Sequence, residues 1–374
     1  MPRPRRTPHG PSSHSASSST STSSSSKPKG NVNSNANASP AGRKDAPTTP
    51  SPAVLRQLSA ILTVFHDTFA PLFTPALPAI IQDVKQALYQ RDYVAAFDSP
   101  QKLQAYAARW SVARALAYFD MIAGHWWSTD VTQRFTQRSS SPLNVTCIGG
   151  GAGAELVGIA AAFSLFASKP GEESENDRPD APRLDITLLD FAAWNPIVES
   201  LYGTLTDEHS TRQPQLYLPK STFSVVCHQQ DILSTLSDVT VSSLASADIV
   251  TILFTAGELY SQSPTAATKL FVSLHAVTKP GALLVVVDSA GGFEELDVLK
   301  KSGEASSSSS IGGYKLGFLL DKTLTSRDRW ETVASDDSRW WRVPPQLKDG
   351  AAYPLDLENM RCLVRVYRRS DDPD

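Results

Sequence analysis

Cysteine is scarce: Cys147, Cys227 and Cys362 are the only three in 374 residues, each inside an apolar run and none in a CxxC pair. That spacing excludes a disulfide framework and a cysteine-built zinc site, and core packing is the expectation for all three. The seven histidines show no ligand-like spacing, so no metal is expected. No apolar stretch reaches the roughly 20 residues a helix needs to cross a bilayer. The opening MPRPRRTPHG does not lead into an apolar run either, so neither a span nor a secretory signal is expected and the chain reads as soluble and intracellular. Large apolar side chains are almost absent from Met1 to Pro52, which is Ser, Pro, Asn, Thr and Gly. Burial there could not offset the entropy of ordering, so a disordered tail is expected. The tail carries seven basic residues (Arg3, Arg5, Arg6, Lys27, Lys29, Arg43, Lys44) against Asp45; a tail at +6 within a chain at −3 leaves −9 for the remainder. Such a tail suits an RNA phosphate backbone or an import signal, and equally suits a solvated segment with no partner.

Beyond the tail, apolar residues recur at helical spacing: Leu55, Leu58, Ile61, Leu62 and Phe65, then Ile80, Ile81, Val84 and Leu88, with Pro71, Pro75 and Pro78 between the two patterns. A third pattern, Lys102–Ala123, follows Asp98-Ser99-Pro100, a cap and first turn. These segments predict a helical domain over 53–140. From Leu143 the pattern changes to short Val/Ile/Leu runs alternating with helical stretches, the sign of a parallel sheet built from strand-helix-strand units. Six strands are predicted, Leu143–Ile148, Leu184–Leu189, Phe223–Cys227, Ile249–Phe254, Leu283–Val287 and Arg361–Tyr367, giving a doubly wound α/β domain over 141–374. Low-complexity inserts at 168–182 and 301–310 fall between elements and read as surface loops.

The first strand runs into Gly149-Gly150-Gly151-Ala152-Gly153-Ala154-Glu155 and then an apolar helical run, Leu156–Phe166. Glycine there permits torsions that other residues avoid and lets backbone approach a ligand, and the helix start beyond it offers free N–H groups. Asp190 closes the second strand, where a carboxylate can accept both hydroxyls of a ribose. It lies 37 positions after Gly153, or 22 once the 15-residue insert is set aside, close to the usual spacing of about 20. Asp231-Ile232, after the third strand, can receive an adenine amine and pack on its ring, although Asp231 serves equally as a helix cap. Two nucleoside cofactors satisfy this set. Gly149-x-Gly151-x-x-Ala154 also matches the dinucleotide fingerprint. Against a nicotinamide oxidoreductase stand the helical domain ahead of the sheet, the absence of a hydride-transfer residue set, and a last strand that follows a long segment instead of starting a second nucleotide-binding half.

Ligands of such sheets lie beyond the carboxyl ends of the strands, so Thr255-Ala256-Gly257-Glu258-Leu259-Tyr260 should reach the reacting group. Glu258 is the candidate proton acceptor or substrate-orienting carboxylate, and as readily an acid at a helix start. Tyr260 could stack on a base or cover the pocket. Asp288-Ser289-Ala290-Gly291-Gly292 forms a second loop on the same rim. Near the C-terminus Asp336–Pro344 joins Arg339 and Arg342 to Trp340 and Trp341, a pairing that binds nucleobases and phosphate, or closes the domain as an apolar staple.

Several blocks together resemble the fungal 25S ribosomal RNA methyltransferases that act on N3 of uridine: Gln90-Arg91-Asp92-Tyr93; Tyr106-Ala107-Ala108-Arg109-Trp110-Ser111 with Arg114-Ala115-Leu116; CIGGGAGAELVGIAAA from Cys147; Phe254-Thr255 through Glu258 to Ser261; KPGALLVVVDSAG from Lys279; Asp337-Ser338-Arg339-Trp340; and Glu358-Asn359-Met360-Arg361. The first strand here ends in Cys147-Ile148, where many methyltransferases place an acid. The resemblance implies a Rossmann-like methyltransferase sheet with S-adenosylmethionine as methyl donor, held by Gly149, Gly150, Gly151, Gly153, Glu155, Asp190, Asp231, Ile232 and Thr255. It assigns no catalytic base; Glu258 and Tyr260 stay the candidates at the reaction from their place after the fourth strand, and Arg109, Trp110, Arg339 and Arg342 are the candidates on the RNA. Ribosomal RNA or a pre-ribosomal particle is the implied partner, with a place in the nucleus, nucleolus or cytoplasm. A protein or small-molecule acceptor and an inactive cofactor-binding assembly factor stay open beside it.

Overall fold

In the computed structural model residues 50–137, 139, 141–167, 182–210, 212–290, 315–348 and 353–371 are described. The tail up to Thr49 and most of the two inserts lie outside them. Ser51 caps the first helix, α1 (Pro52–Phe69), through a bond from Val54 N, with Pro52 in the first turn. Its stripe of Leu58, Ile61, Leu62, Phe65 and Phe69 is buried. After α2 (Leu77–Tyr89), Arg91 turns the chain with φ +58°. Asp92 caps the short α3 (Tyr93–Ala96) and Ser99 caps α4 (Pro100–Tyr106), as the Ser-Pro pair suggested. A π-helical turn, Ala107–Ser111, then joins α4 to α5 (Val112–Ala123), and α6 (Thr129–Thr136) completes the run. The packing of one of its helices on α7 (Ala154–Ala167), which follows the glycine turn, shows why the run stays on the sheet. Helix α5 is buried on nearly every side, and α7 is apolar all round and lies against it. Their backbones approach closely at Gly158, where an added Cβ would stand 2.8 Å from Ala115 O. One apolar cluster therefore runs from α1 through α5 and α7 to the strands.

The parallel strands are β1 (Leu143–Ile148), β2 (Leu184–Asp190), β3 (Phe223–Gln229), β4 (Ile249–Leu253) and β5 (Leu283–Ser289). Between them come α8 (Asn195–Leu205), α9 (Asp238–Ser246), α10 (Ala256–Gln262) and α11 (Pro264–Val277). Residues after β5 resume with α12 (Leu316–Leu324). The sequence pattern misses one strand. The segment from Trp330 to Trp341, of which the Arg and Trp residues drew attention, is β6, followed by α13 (Pro345–Lys348) and β7 (Met360–Arg369). The sheet thus has seven strands in the order β3-β2-β1-β4-β5-β7-β6, with β7 antiparallel to both neighbours. Register brings Ile148, Leu189 and His228 level and sets Leu253 beside Val287. The residues that follow, the glycine turn, Asp190, Phe254 and Asp288, therefore share one rim. No single helix among the described residues is long and apolar enough to cross a membrane.

Candidate functional site

The glycine turn leaves β1 with Gly149 at φ +79° and returns to α7 with Gly153 at φ +82°, torsions that L side chains rarely adopt. The chain's own side chains fill the space a Cβ would need: one on Gly149 would meet Thr255 Oγ1 at 2.3 Å, and one on Gly151 would meet Trp194 Cδ1 at 2.0 Å. Glycine lets the turn press down on the residues after β4 and β2, and so brings Thr255 and Asp190 to its edge. Asp190 Oδ2 accepts from Gly151 N at 3.0 Å and Oδ1 from Ala192 N at 3.2 Å. Burial pushes its carboxyl up to about 6, against these backbone donors and the Trp194 side chain.

Three more acids gather around it. Asp288, 4% exposed at the end of β5, accepts from Gly257 N at 2.8 Å and Ser289 N at 2.7 Å, which fixes the start of α10. Glu155, 3% exposed in the first turn of α7, is pushed up to about 8 by burial, and among the described residues its Oε1 has no hydrogen-bond partner. Glu258, in the first turn of α10, is likewise raised to about 8, first by burial and then by Asp288 and Asp190, while Arg114 pulls it down. Arg114, on α5, donates to Tyr106 Oη. Its guanidinium stands 5.6 Å from the Tyr106 ring centroid and 5.0 Å from that of Phe254, the residue after β4, held at φ +54°. Tyr93 of α3 has its hydroxyl raised by burial and then by Glu258, so the charge of that acid is felt at the short helix α3.

Aromatic rings roof the rim. Phe97 packs edge-on against Tyr106 at 5.1 Å, Trp194 at 5.3 Å and Phe191 at 5.9 Å, and Tyr106 meets Trp110 at 5.2 Å. Gly149, Gly150, Gly151, Gly153, Glu155, Asp190, Thr255 and Glu258 thus lie on one rim. Tyr260 does not join them. Two positions beyond Glu258, it faces the opposite side of α10, buried and stacked on Phe271 at 5.7 Å. Asp231 opens a turn, accepting from Leu233 N at 2.9 Å, while the next helix takes its cap from Ser237; Ile232 is buried beneath that turn. Arg109 pairs with Glu358 and donates to Asp356 O at 3.0 Å, with Trp110 beside it. Arg339, on β6, lies 3.9 Å above the Trp126 ring, and Arg342 lies 5.2 Å from that of Trp340, which is 51% exposed. Trp194, Phe97 and Asp288 carry no assigned role in the sequence reading. Only the acid ending the run Leu283–Asp288 gave a signal, since acids seldom stay buried without a task.

These residues fit a nucleoside cofactor. Each Asp190 oxygen accepts one backbone N–H and keeps a lone pair for a ribose hydroxyl. Phe191, partly exposed, and Ile232 offer apolar surface nearby for a base. The unpartnered Glu155 oxygen is an acceptor waiting at the helix start. A family model described as "Putative SAM-dependent methyltransferase" matches residues 65–368. The chain is 32% identical over 300 residues to the 25S rRNA (uridine(2843)-N(3))-methyltransferase of Saccharomyces cerevisiae, across 77% of this chain and 76% of that one. Among solved structures it is similar to a SAM-dependent methyltransferase of Methanosarcina mazei, at 14% identity over 64% of this chain and 98% of that one, with a TM-score of 0.34. It is also similar to the 16S rRNA (adenine(1408)-N(1))-methyltransferase of Catenulisporales acidiphilia, at 15% identity over 65% and 93%, with a TM-score of 0.35.

Proposed function

The chain belongs to the family of SAM-dependent methyltransferases, and we propose that it methylates N3 of a uridine in 25S ribosomal RNA during ribosome biogenesis. The observation that carries the reading is the 32% identity, spread over most of both chains, to a yeast enzyme named for that reaction. S-adenosylmethionine supplies an electrophilic methyl group on a sulfonium. In this reading Asp190 holds its ribose, Glu155 with the turn Gly149–Gly153 holds its amino-acid end, and Asp231 with Ile232 borders its adenine. Thr255 packs the turn into place.

N3 of uridine is an imide nitrogen that must lose its proton before its electron pair can attack the methyl carbon, so the site needs a base and an in-line approach. Glu258 takes that proton. A carboxylate raised to about 8 is a much stronger base than a solvated one, yet is ionised in part near neutrality. Tyr260, on the far side of α10, packs that helix onto Phe271 of α11 and so supports Glu258 from behind. Arg109, Trp110, Arg339 and Arg342 engage RNA outside the reacting base, where Trp340 with Arg342 offers an exposed ring and a charge for a nucleotide. The partner is then ribosomal RNA within a pre-ribosomal particle, and the place of action nuclear or nucleolar.

The test is transfer from labelled S-adenosylmethionine to deproteinised 25S RNA, read as N3-methyluridine by mass spectrometry of the nucleosides. The expected rate rises with pH and levels off above about 8, because only the ionised Glu258 accepts a proton. Glu258→Gln should lose about 10²-fold or more of that rate and the rising limb with it. Methylation of another base, of a protein, or of nothing would sink the reading.

A further inference from the structure

We infer that Arg114 is a catalytic residue that binds the acceptor base itself, donating to a carbonyl oxygen beside the nitrogen and stabilising the anion formed when that nitrogen loses its proton ahead of methylation; this rests on the uridine-N3 reading above. The side chain is placed for it. Arg114 projects from α5 over Phe254, the first residue beyond β4, with the Phe254 ring 5.0 Å away on one side and the Tyr106 ring 5.6 Å away. Phe254 leads directly through Thr255, which packs on Gly149, to Glu258. The guanidinium therefore stands over the junction of cofactor turn and proton acceptor.

Its hydrogen bonding is incomplete for a structural arginine. Among the described residues one of its five N–H donors is used, and the acceptor is a neutral phenol, Tyr106. Its charge acts on Glu258, Glu155 and Asp288, yet among the described residues no carboxylate forms an ion pair with it. Asp190 and Asp288 spend their oxygens on backbone N–H groups instead. A partly buried cation with flanking aromatic faces and unspent donors is a receptor for a planar, oxygen-bearing anion.

Uridine becomes one at the right moment. Its N3 lies between two carbonyls, so when the N3–H bond breaks and the proton passes to the Glu258 carboxylate, the negative charge spreads from N3 onto O2 and O4. The N3 electron pair then forms the bond to the methyl carbon as the carbon–sulfur bond breaks, its electrons returning to sulfur to leave a neutral thioether. A donor on O2 or O4 holds the charge between these events and fixes the ring in line. A neutral Gln or Asn at the same place could hold the ring and donate one hydrogen bond; a cation adds its full charge and lowers the cost of the anion further.

The test compares two acceptors in one RNA fragment of 25S sequence, uridine and 5-fluorouridine at the methylated position, using the full chain. Fluorine withdraws electrons and acidifies N3, so the anion needs less help. Arg114→Met should lower kcat on uridine by about 10²-fold, with a much smaller loss on 5-fluorouridine and little change in KM for either RNA. Arg114→Lys, which keeps the charge without the planar fork, should fall between and carries the same comparison if the methionine variant unfolds. Equal losses on both acceptors, with calorimetric S-adenosylmethionine binding and unfolding temperature as in the unaltered protein, overturn the inference and leave the uridine reading standing. If the unaltered protein methylates N3 of neither base, the reading fails and the inference with it.

Discussion

Glu155 shows how a single residue in this site trades stability for readiness. It is buried, one of its oxygens lacks a partner, and the groups acting on it are Arg114, which favours its charge, and Asp190, which opposes it. Its carboxyl moves from 4.5 to about 8 on folding. The folded state therefore binds the proton more tightly than the unfolded chain, so this group's contribution is fully present below about 4.5 and is lost as pH rises through about 8. The slope is at most about 1.4 kcal/mol per pH unit. Glu155→Gln should flatten the fall of unfolding temperature across that window; an unchanged slope, measured by calorimetry at several pH values, would show the carboxylate to be partnered after all. The local part of the site was legible in the sequence because its members follow one another along the backbone: the turn Gly149–Gly153 with Glu155, and Asp190 at a strand end. Arg114, Trp194 and Asp288 reach the same rim from separate elements, and only register and packing bring them there. The role of Asp231 was ambiguous for a related reason, since a short polar side chain caps a turn as well as a helix.

At the scale of elements, the contact of α5 with α7 is the mechanical link between the helix that carries Arg114 and the helix that follows the cofactor turn. An alanine at position 158 would push its Cβ to 2.8 Å from the Ala115 carbonyl and 3.2 Å from Tyr118 Cβ, and α5 would have to move. Gly158→Ala should cost about 1–3 kcal/mol in denaturant unfolding. It should also weaken methyl transfer beyond that loss, because Arg114 rides on α5 beside the contact. Stability and transfer both unchanged would mean that the helices separate freely. Strands β4 and β5 were readable as short, nearly continuous apolar runs, as a doubly covered parallel sheet requires, and β1 to β3 as short runs rich in Val, Ile and Leu with polar residues between them. β6 was not, and its position says why. It is an edge strand with one neighbour, two register shifts and an alternation interrupted at Asp336-Asp337. An edge tolerates acids and bulges that a central strand excludes, so the period-2 signal is lost. The glycine turn was recognised for its closeness to a ligand, yet its glycines are required first by Thr255 and Trp194.

The molecule as a whole faces an electrostatic problem: residues beyond the tail carry −9, against the +6 of Met1–Pro52. RNA must then be met by local pairs such as Arg342 with Trp340 and by the tail. Removing residues 1–49 should weaken binding of 25S RNA fragments and make log Kd less steep in log salt, by up to about 5 if all seven basic residues reach phosphates of single strands. Turnover at saturating RNA should hold. Fluorescence anisotropy over a salt series reads the slope, and an identical slope would assign the tail another task. The sheet order carries one more consequence. Because β7 lies between β5 and β6, β6 emerges from the translating ribosome before the strand that, among the described residues, pairs with it, and until Met360–Arg369 follow, Trp330 and Trp341 lack that pairing. A chain cut short by a nonsense codon in that interval keeps its cofactor turn but exposes two open strand edges and two indoles. Such a product is marked for chaperones and proteases, so a nascent copy that has the motif without β7 has little chance of competing for the substrate.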